Sequence, residues 1–214
     1  MTRTAVVIEI EELLFDTLDE RAAALHASLA AEGITVPIAA VRTAHAGATA
    51  EMALRDLIAH DALDTTGREL VVHRASATCS AAFNMNTPLF DVAARDALVA
   101  LAADFPLAVV TRATQPDAQR LLEQAGLDAY VATIRSLSGT EPAAYRVHWQ
   151  EGVSRLHAAR GIAIAPWPML PAAKEAGLTV IAIGTPATGA EPVDVDASRA
   201  SLTQIDASLV ASLI

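Results

Sequence analysis

Two carboxylates closing an apolar run are the side chains best placed to do chemistry in this sequence. The run is Ala5-Val-Val-Ile-Glu-Ile-Glu-Glu-Leu-Leu-Phe-Asp-Thr17. Along a strand successive side chains alternate, so Glu9 and Glu11 share one side of the backbone. In open α/β sheets ligands bind outside the carboxyl ends of the strands, which is where this pair falls. Two glutamates so placed could hold a cation weakly or contact another small ligand. Equally, they read as solvated acids, or as acids paired with a helix dipole. The histidines offer no competing site. His26, His45, His60, His73, His148 and His157 are scattered with no metal-binding i, i+4 pair, and each reads as a surface helix residue. His45 alone stands out, because it precedes Gly47 in a connection that could face a cleft.

The elements that must position these residues are legible from periodicity and punctuation. After the first strand, 19–32 reads as a helix stopped by Gly33, and Pro37 opens a short second one. Helices follow over 50–60 and 66–83, with no strand between any of the four. Beyond Pro88 the pattern changes to alternation. Helix 91–103 leads to the buried strand Leu107-Ala-Val-Val-Thr111, and helix 115–126 to a short strand over 130–134. Helix 142–159, strand 162–165, helix 170–176 and strand 179–183 complete the series. The stretch 184–199 is rich in Pro, Gly, Thr and Asp and reads as a loop, and a last helix covers 204–213. Apolar strands alternating with amphipathic helices predict an α/β fold with a doubly wound parallel sheet covered on both faces.

The first motif, with Leu13, Leu14, Phe15, Asp16 and Thr17 in their places, resembles that of the haloacid dehalogenase (HAD) superfamily, in its phosphatase and β-phosphoglucomutase-like branch. The resemblance implies a Rossmann-like core over 1–17 and 85–214, with an inserted four-helix cap over 18–84. It also implies roles for residues. Glu9 stands at the nucleophile and Glu11 at the general acid/base, both aspartate in the family, and Glu12 replaces a glycine. Thr111 matches the Ser/Thr that holds the transferring phosphoryl group. Asp16, Arg112, His45 and Gly47 fall where substrate would be contacted. Where the family carries a phosphate-neutralising lysine the sequence has Glu141, a charge reversal. The only lysine, Lys174, matches a surface position of the helix after the fourth motif. Arg112, Arg135 and Arg146 are the cations that could substitute, and spacing selects none of them. The fourth motif, which supplies Mg²⁺ carboxylates in the family, reads Ile162-Ala-Ile-Ala-Pro-Trp-Pro-Met-Leu-Pro171 here and has none. Mg²⁺ is thus the family cofactor, and no cofactor is expected for this chain.

A longer side chain at the nucleophile shifts its attacking oxygen by more than about an ångström, a displacement that can lower a rate by about 100-fold. Combined with the lost lysine and metal ligands, this predicts a degenerate active site. The first expectation is a non-catalytic or repurposed HAD-like protein that binds a small molecule or a protein partner. The alternatives are an active phosphatase using Glu9 as an atypical nucleophile, and a structural or assembly subunit whose 166–171 loop makes protein contacts. Trp149 and Trp167 read as core or interface anchors, the latter able to fill the vacated metal loop. An oligomer is allowed.

Composition narrows the setting. The chain has 214 residues, of which 53% are hydrophobic and 19% charged, so it can bury a substantial core. A net charge of −10 argues against nucleic acid and anionic membrane surfaces as partners. The lone Cys79, read as a small buried apolar residue, excludes an internal disulfide and a Cys-based zinc site. No apolar run has the length of a membrane span or the form of a signal peptide. Together these predict a cytoplasmic protein.

Overall fold

The computed structural model describes residues 3–15, 17–46, 48–58, 64–85, 90–138, 142–186 and 193–214. The chain divides into two compact units, Met1–Phe15 with Phe90–Ile214, and Asp16–Leu89.

The first unit is built on a six-stranded, wholly parallel sheet in the order β3-β2-β1-β4-β5-β6. The strands are β1 (Thr4–Glu9), β2 (Leu107–Thr111), β3 (Val131–Ser136), β4 (Arg160–Pro166), β5 (Thr179–Ile183) and β6 (Ala197–Arg199). β1 and β2 are buried along their whole length, as parallel strands covered on both faces must be. Their register pairs Val6 with Leu107 and Glu9 with Val110, so both strands end side by side. The intervening helices run in chain order. In this unit they are α5 (Val92–Asp104), α6 (Gln115–Ala125), α7 (Tyr145–Ser154), α8 (Leu170–Glu175) and α9 (Ala207–Ser212). Local sequence sets their ends. Asp91 caps α5 by accepting from Ala93 and Ala94 N–H, and Thr114 caps α6, which stops at a left-handed Gly126. α7 presses on β1 at Gly152, where a Cβ would stand 3.1 Å from Val7 Cγ1. Trp149 on the same helix is fully buried, so it is a core residue.

β6 corrects the loop reading of 184–199. Three residues, Ala-Ser-Arg, extend the sheet beside β5, anchored just upstream by Asp196. Its carboxylate accepts from Val180 N–H at 2.8 Å and from Lys174 Nζ at 3.2 Å. Those bonds hold the Asp196 carboxyl below its usual range, the Val180 N–H contributing most. The helix read over 142–159 is also shorter: a 3-10 turn, Pro142–Ala144, precedes α7, which ends at Ser154.

The second unit contains α1 (Leu18–Ala31), α2 (Ile38–His45), α3 (Ala50–Leu57) and α4 (Thr65–Met85). It has its own core, in which Leu25 and Leu29 of α1 cluster with Val41, Leu54, Val72 and Cys79. Cys79 is buried, and burial pushes its thiol up to about 11, so it is an inert packing residue. Among the described residues, no helix is long and apolar enough to cross a membrane.

Candidate functional site

Chain geometry at the ends of β1 and β2 gathers four charged side chains. β1 stops at Glu9, and residues 11–14 form one helical turn closed by Leu14 N–H donating to Ile10 O at 3.0 Å. This turn aims two backbone donors back at the strand end. Glu11 N–H reaches Glu9 Oε1 at 3.2 Å and Glu12 N–H reaches Glu9 Oε2 at 3.4 Å. On the neighbouring strand Arg112 follows Thr111 directly. Its backbone N–H donates to Glu11 Oε2 at 2.9 Å. Its Nη2 stands 3.3 Å from Glu9 Oε1 and 2.7 Å from Glu12 Oε1.

The inner part of the cluster is closed to water, with Glu12 at its rim. The side chains of Glu9 and Arg112 are 0% and 3% exposed, and Glu11 is fully buried. The solvated reading of Glu9 and Glu11 therefore fails: they are buried acids facing an internal cation. Thr111 is drawn into the turn beneath them, its Oγ1 accepting from Ala113 N–H at 3.1 Å. Ser136 of β3 braces the same turn, donating to Ala113 O at 2.6 Å.

Burial and charge decide the protonation of this group. Burial is the largest influence on Glu9 and pushes its carboxyl well above the ordinary range. Arg112 opposes the shift, while the neighbouring Glu11 carboxylate and a side-chain hydrogen bond with it add to it. Burial also works against the charge of Arg112, but Glu9, Glu11 and Glu12 outweigh it and keep the guanidinium ionised. With one cation facing three carboxyl groups, the Glu9 carboxyl is biased toward its neutral form. A neutral carboxyl that is also hydrogen-bonded on both oxygens is a poor nucleophile.

Mg²⁺, the cofactor the family resemblance implies, does not fit these residues. It demands six oxygen ligands in near-octahedral array at about 2.0–2.1 Å. Glu9 and Glu12 already bind Arg112, and among the described residues no three His, Cys, Asp or Glu side chains are placed to hold a metal ion. The end of β4 supplies no carboxylate either. There Met169 and Leu170 are buried, and Trp167 Nε1 donates to Gly184 O at 3.0 Å, which ties the ring to the end of β5. Lys174 is engaged with Asp196, away from any such role.

The chain superposes over nearly its whole length on solved hydrolases of one architecture. With a HAD-like family hydrolase from Streptococcus pneumoniae the TM-score is 0.72 at 15% identity, covering 99% of both chains. The fold is that of the HAD-like hydrolases. CbbY from Rhodobacter sphaeroides, solved in complex with phosphate, gives 0.74 at 18% identity over 95% of this chain and 96% of that one. A hydrolase from Pseudomonas syringae gives 0.77 at 16% identity, covering 94% and 95%. No protein-family model and no curated relative matches the sequence.

Within this HAD-like fold the structure brings Glu9, Glu11 and Arg112 together, with Thr111 in the turn beneath. His45, singled out as able to face a cleft, closes α2 within the helical unit and is 2% exposed. Asp16, Gly47 and Glu141 lie outside the described residues. Sequence reasoning left Arg112 as one of three candidate cations and gave Glu12 no role. A signal was present: three glutamates within four residues require a counter-ion, and β1 and β2, which pair as far as Glu9 with Val110, end side by side next to Arg112.

Proposed function

We propose that this chain is a HAD-like protein that has given up Mg²⁺-dependent phosphoryl transfer and serves as a non-catalytic or repurposed binding member of that fold. One observation carries the reading: the Arg112 guanidinium is buried between Glu9 and Glu12, beside a Glu9 carboxyl whose pKa burial raises. A nucleophile needs a charged, accessible oxygen, and a divalent cation needs free carboxylates. The cluster offers neither. The 166–171 loop gives little support to an assembly role, since its largest aliphatic residues face inward. A small ligand is therefore favoured over a protein partner, and the reducing cytoplasm is the compartment that suits a lone, buried cysteine.

Hydrolysis of a generic aryl phosphate, with and without Mg²⁺, tests the proposal on wild type and Glu9→Ala. No turnover above buffer in either protein is the expected result. Mg²⁺-dependent turnover that disappears in Glu9→Ala would overturn it and make Glu9 a working nucleophile.

A further inference from the structure

We infer that the amino ends of β4 and β5 carry a binding site for a small organic anion with an apolar body. This site is independent of the reading above, because it lies at the other end of the strands. Arg160 opens β4 beside Thr4, and the 6 residues of β1, about 17 Å, separate that point from Glu9. A cavity of about 450 Å³ opens there, where α7 and α8 turn back into β4 and β5. That volume lies within the range of about 300–1,000 Å³ that small ligands occupy.

Charge and wall chemistry select the ligand. The protein has a net charge of −10, yet among the described residues lining the cavity there is one cation, Arg160, and no carboxylate. The ends of α7 and α8 turn carbonyls toward this side and do not themselves attract an anion, so Arg160 must supply the attraction. Its guanidinium donates to Ile214 O, and Ile214 also lines the cavity, so the charge is held at the wall. One such bond leaves most of the five guanidinium N–H donors for a pair of carboxylate or phosphate oxygens. Thr179 adds a hydroxyl, and Gln150 an amide whose bond to Ala176 O is long, at 3.5 Å. Val153, Leu178 and Leu213 make the rest of the wall aliphatic, which suits an apolar body. A neighbouring depression of about 510 Å³ shares Ile214 but carries both Arg3 and Asp104, so it has no such charge preference.

The test is an NMR titration of backbone amides with phenylphosphonate and with benzoate, neither of which a phosphatase can hydrolyse, at low ionic strength. Saturable shifts at Gly161, Gly177 and Thr179 are expected, with a Kd of about 1–10 mM for molecules this small. Whichever of the two binds more tightly identifies the anionic head as phosphate or carboxylate. Benzyl alcohol, the body without charge, and inorganic phosphate, the charge without body, should each bind about five-fold more weakly or worse. Arg160→Gln should weaken phenylphosphonate binding by about five-fold or more. Ser154→Phe keeps Arg160 and fills the cavity, and should abolish binding. Both positions are exposed, so an unchanged Tm is expected for each variant. Absence of saturable shifts overturns the inference, as does unchanged binding in Arg160→Gln, equal binding of benzyl alcohol, or shifts confined to Glu9, Glu11 and Arg112. Failure of the functional reading shows instead as Mg²⁺-dependent aryl phosphate turnover by wild type, which these probes do not report.

Discussion

At the ends of β1 and β2 charge is concentrated and internally paired; at the end of the adjacent β4 it is missing. The first region keeps three glutamates and adds Arg112. The second holds Pro166, Trp167, Pro168 and buried Met169, with one hydrogen bond from the indole to Gly184 O. Both strand ends lie at the same edge of a parallel sheet, and among the described residues neither offers a set of metal ligands, but by opposite routes. Where acids are kept, each depends on the others, because an unpaired charge in the interior is far more costly than a lost contact. Where acids are absent, apolar packing takes over. The contrast is between a cooperative electrostatic unit and an ordinary apolar loop.

The largest effect that sharpens this contrast is expected at Arg112. Removing one partner of a buried ion pair typically destabilises by about 3–5 kcal/mol. Arg112→Met should therefore shift the urea midpoint far to lower concentration. Trp167→Phe, which keeps a ring and loses the bond to Gly184 O, should lower stability by about 0.5–1.5 kcal/mol. Equal losses in the two variants would erase the distinction between the regions.

A middle-sized effect is expected from pH. The Glu9 carboxyl titrates above its unfolded value of 4.5, so the native state keeps a proton that the unfolded chain releases. The stability this provides is complete below that value and is lost as pH rises toward the native pKa. The slope is at most about 1.4 kcal/mol per pH unit. Glu9→Gln carries no such proton. Its stability relative to wild type should improve steadily from about pH 5 upward, while Trp167→Phe should run parallel to wild type over the same range. Denaturant midpoints across a pH series decide this, and a flat Glu9→Gln difference would show that Glu9 is ionised in the native protein after all.

The same contrast explains what could be read from the sequence. Leu107-Ala-Val-Val-Thr111 announces β2 because a fully buried parallel strand must be apolar throughout, and the structure places it at those residues. Gly33 and Gly126, both at positive φ, mark helix ends for a local steric reason. β6 was illegible because its three residues carry no pattern, and their place is set by Asp196 reaching Val180 across the sheet. The cluster lies between these cases. Glu9 and Glu11 were visible as chemistry, but their state depends on Arg112, which is 101 residues further along the chain than its backbone's partner Glu11. Local sequence shows that acids are present. Only the pairing of β1 with β2 brings Arg112 to them.

The smallest expected effect concerns catalysis. Replacing Glu9 and Glu11 together by aspartate restores the carboxylate lengths of the family motif at one strand end and leaves the end of β4 as it is. Shorter side chains draw back from Arg112, so some electrostatic stability should be lost. Turnover should not appear, because Arg112 remains buried among the acids and no carboxylate is supplied from β4. Aryl phosphate hydrolysis with Mg²⁺ should stay at the buffer rate. Turnover in this double variant alone would mean that side-chain length at β1, and not the missing charge at β4, is what silences the site. The two regions would then no longer be two independent losses: β4 would be a dispensable contributor, and the paired cluster the whole of the block.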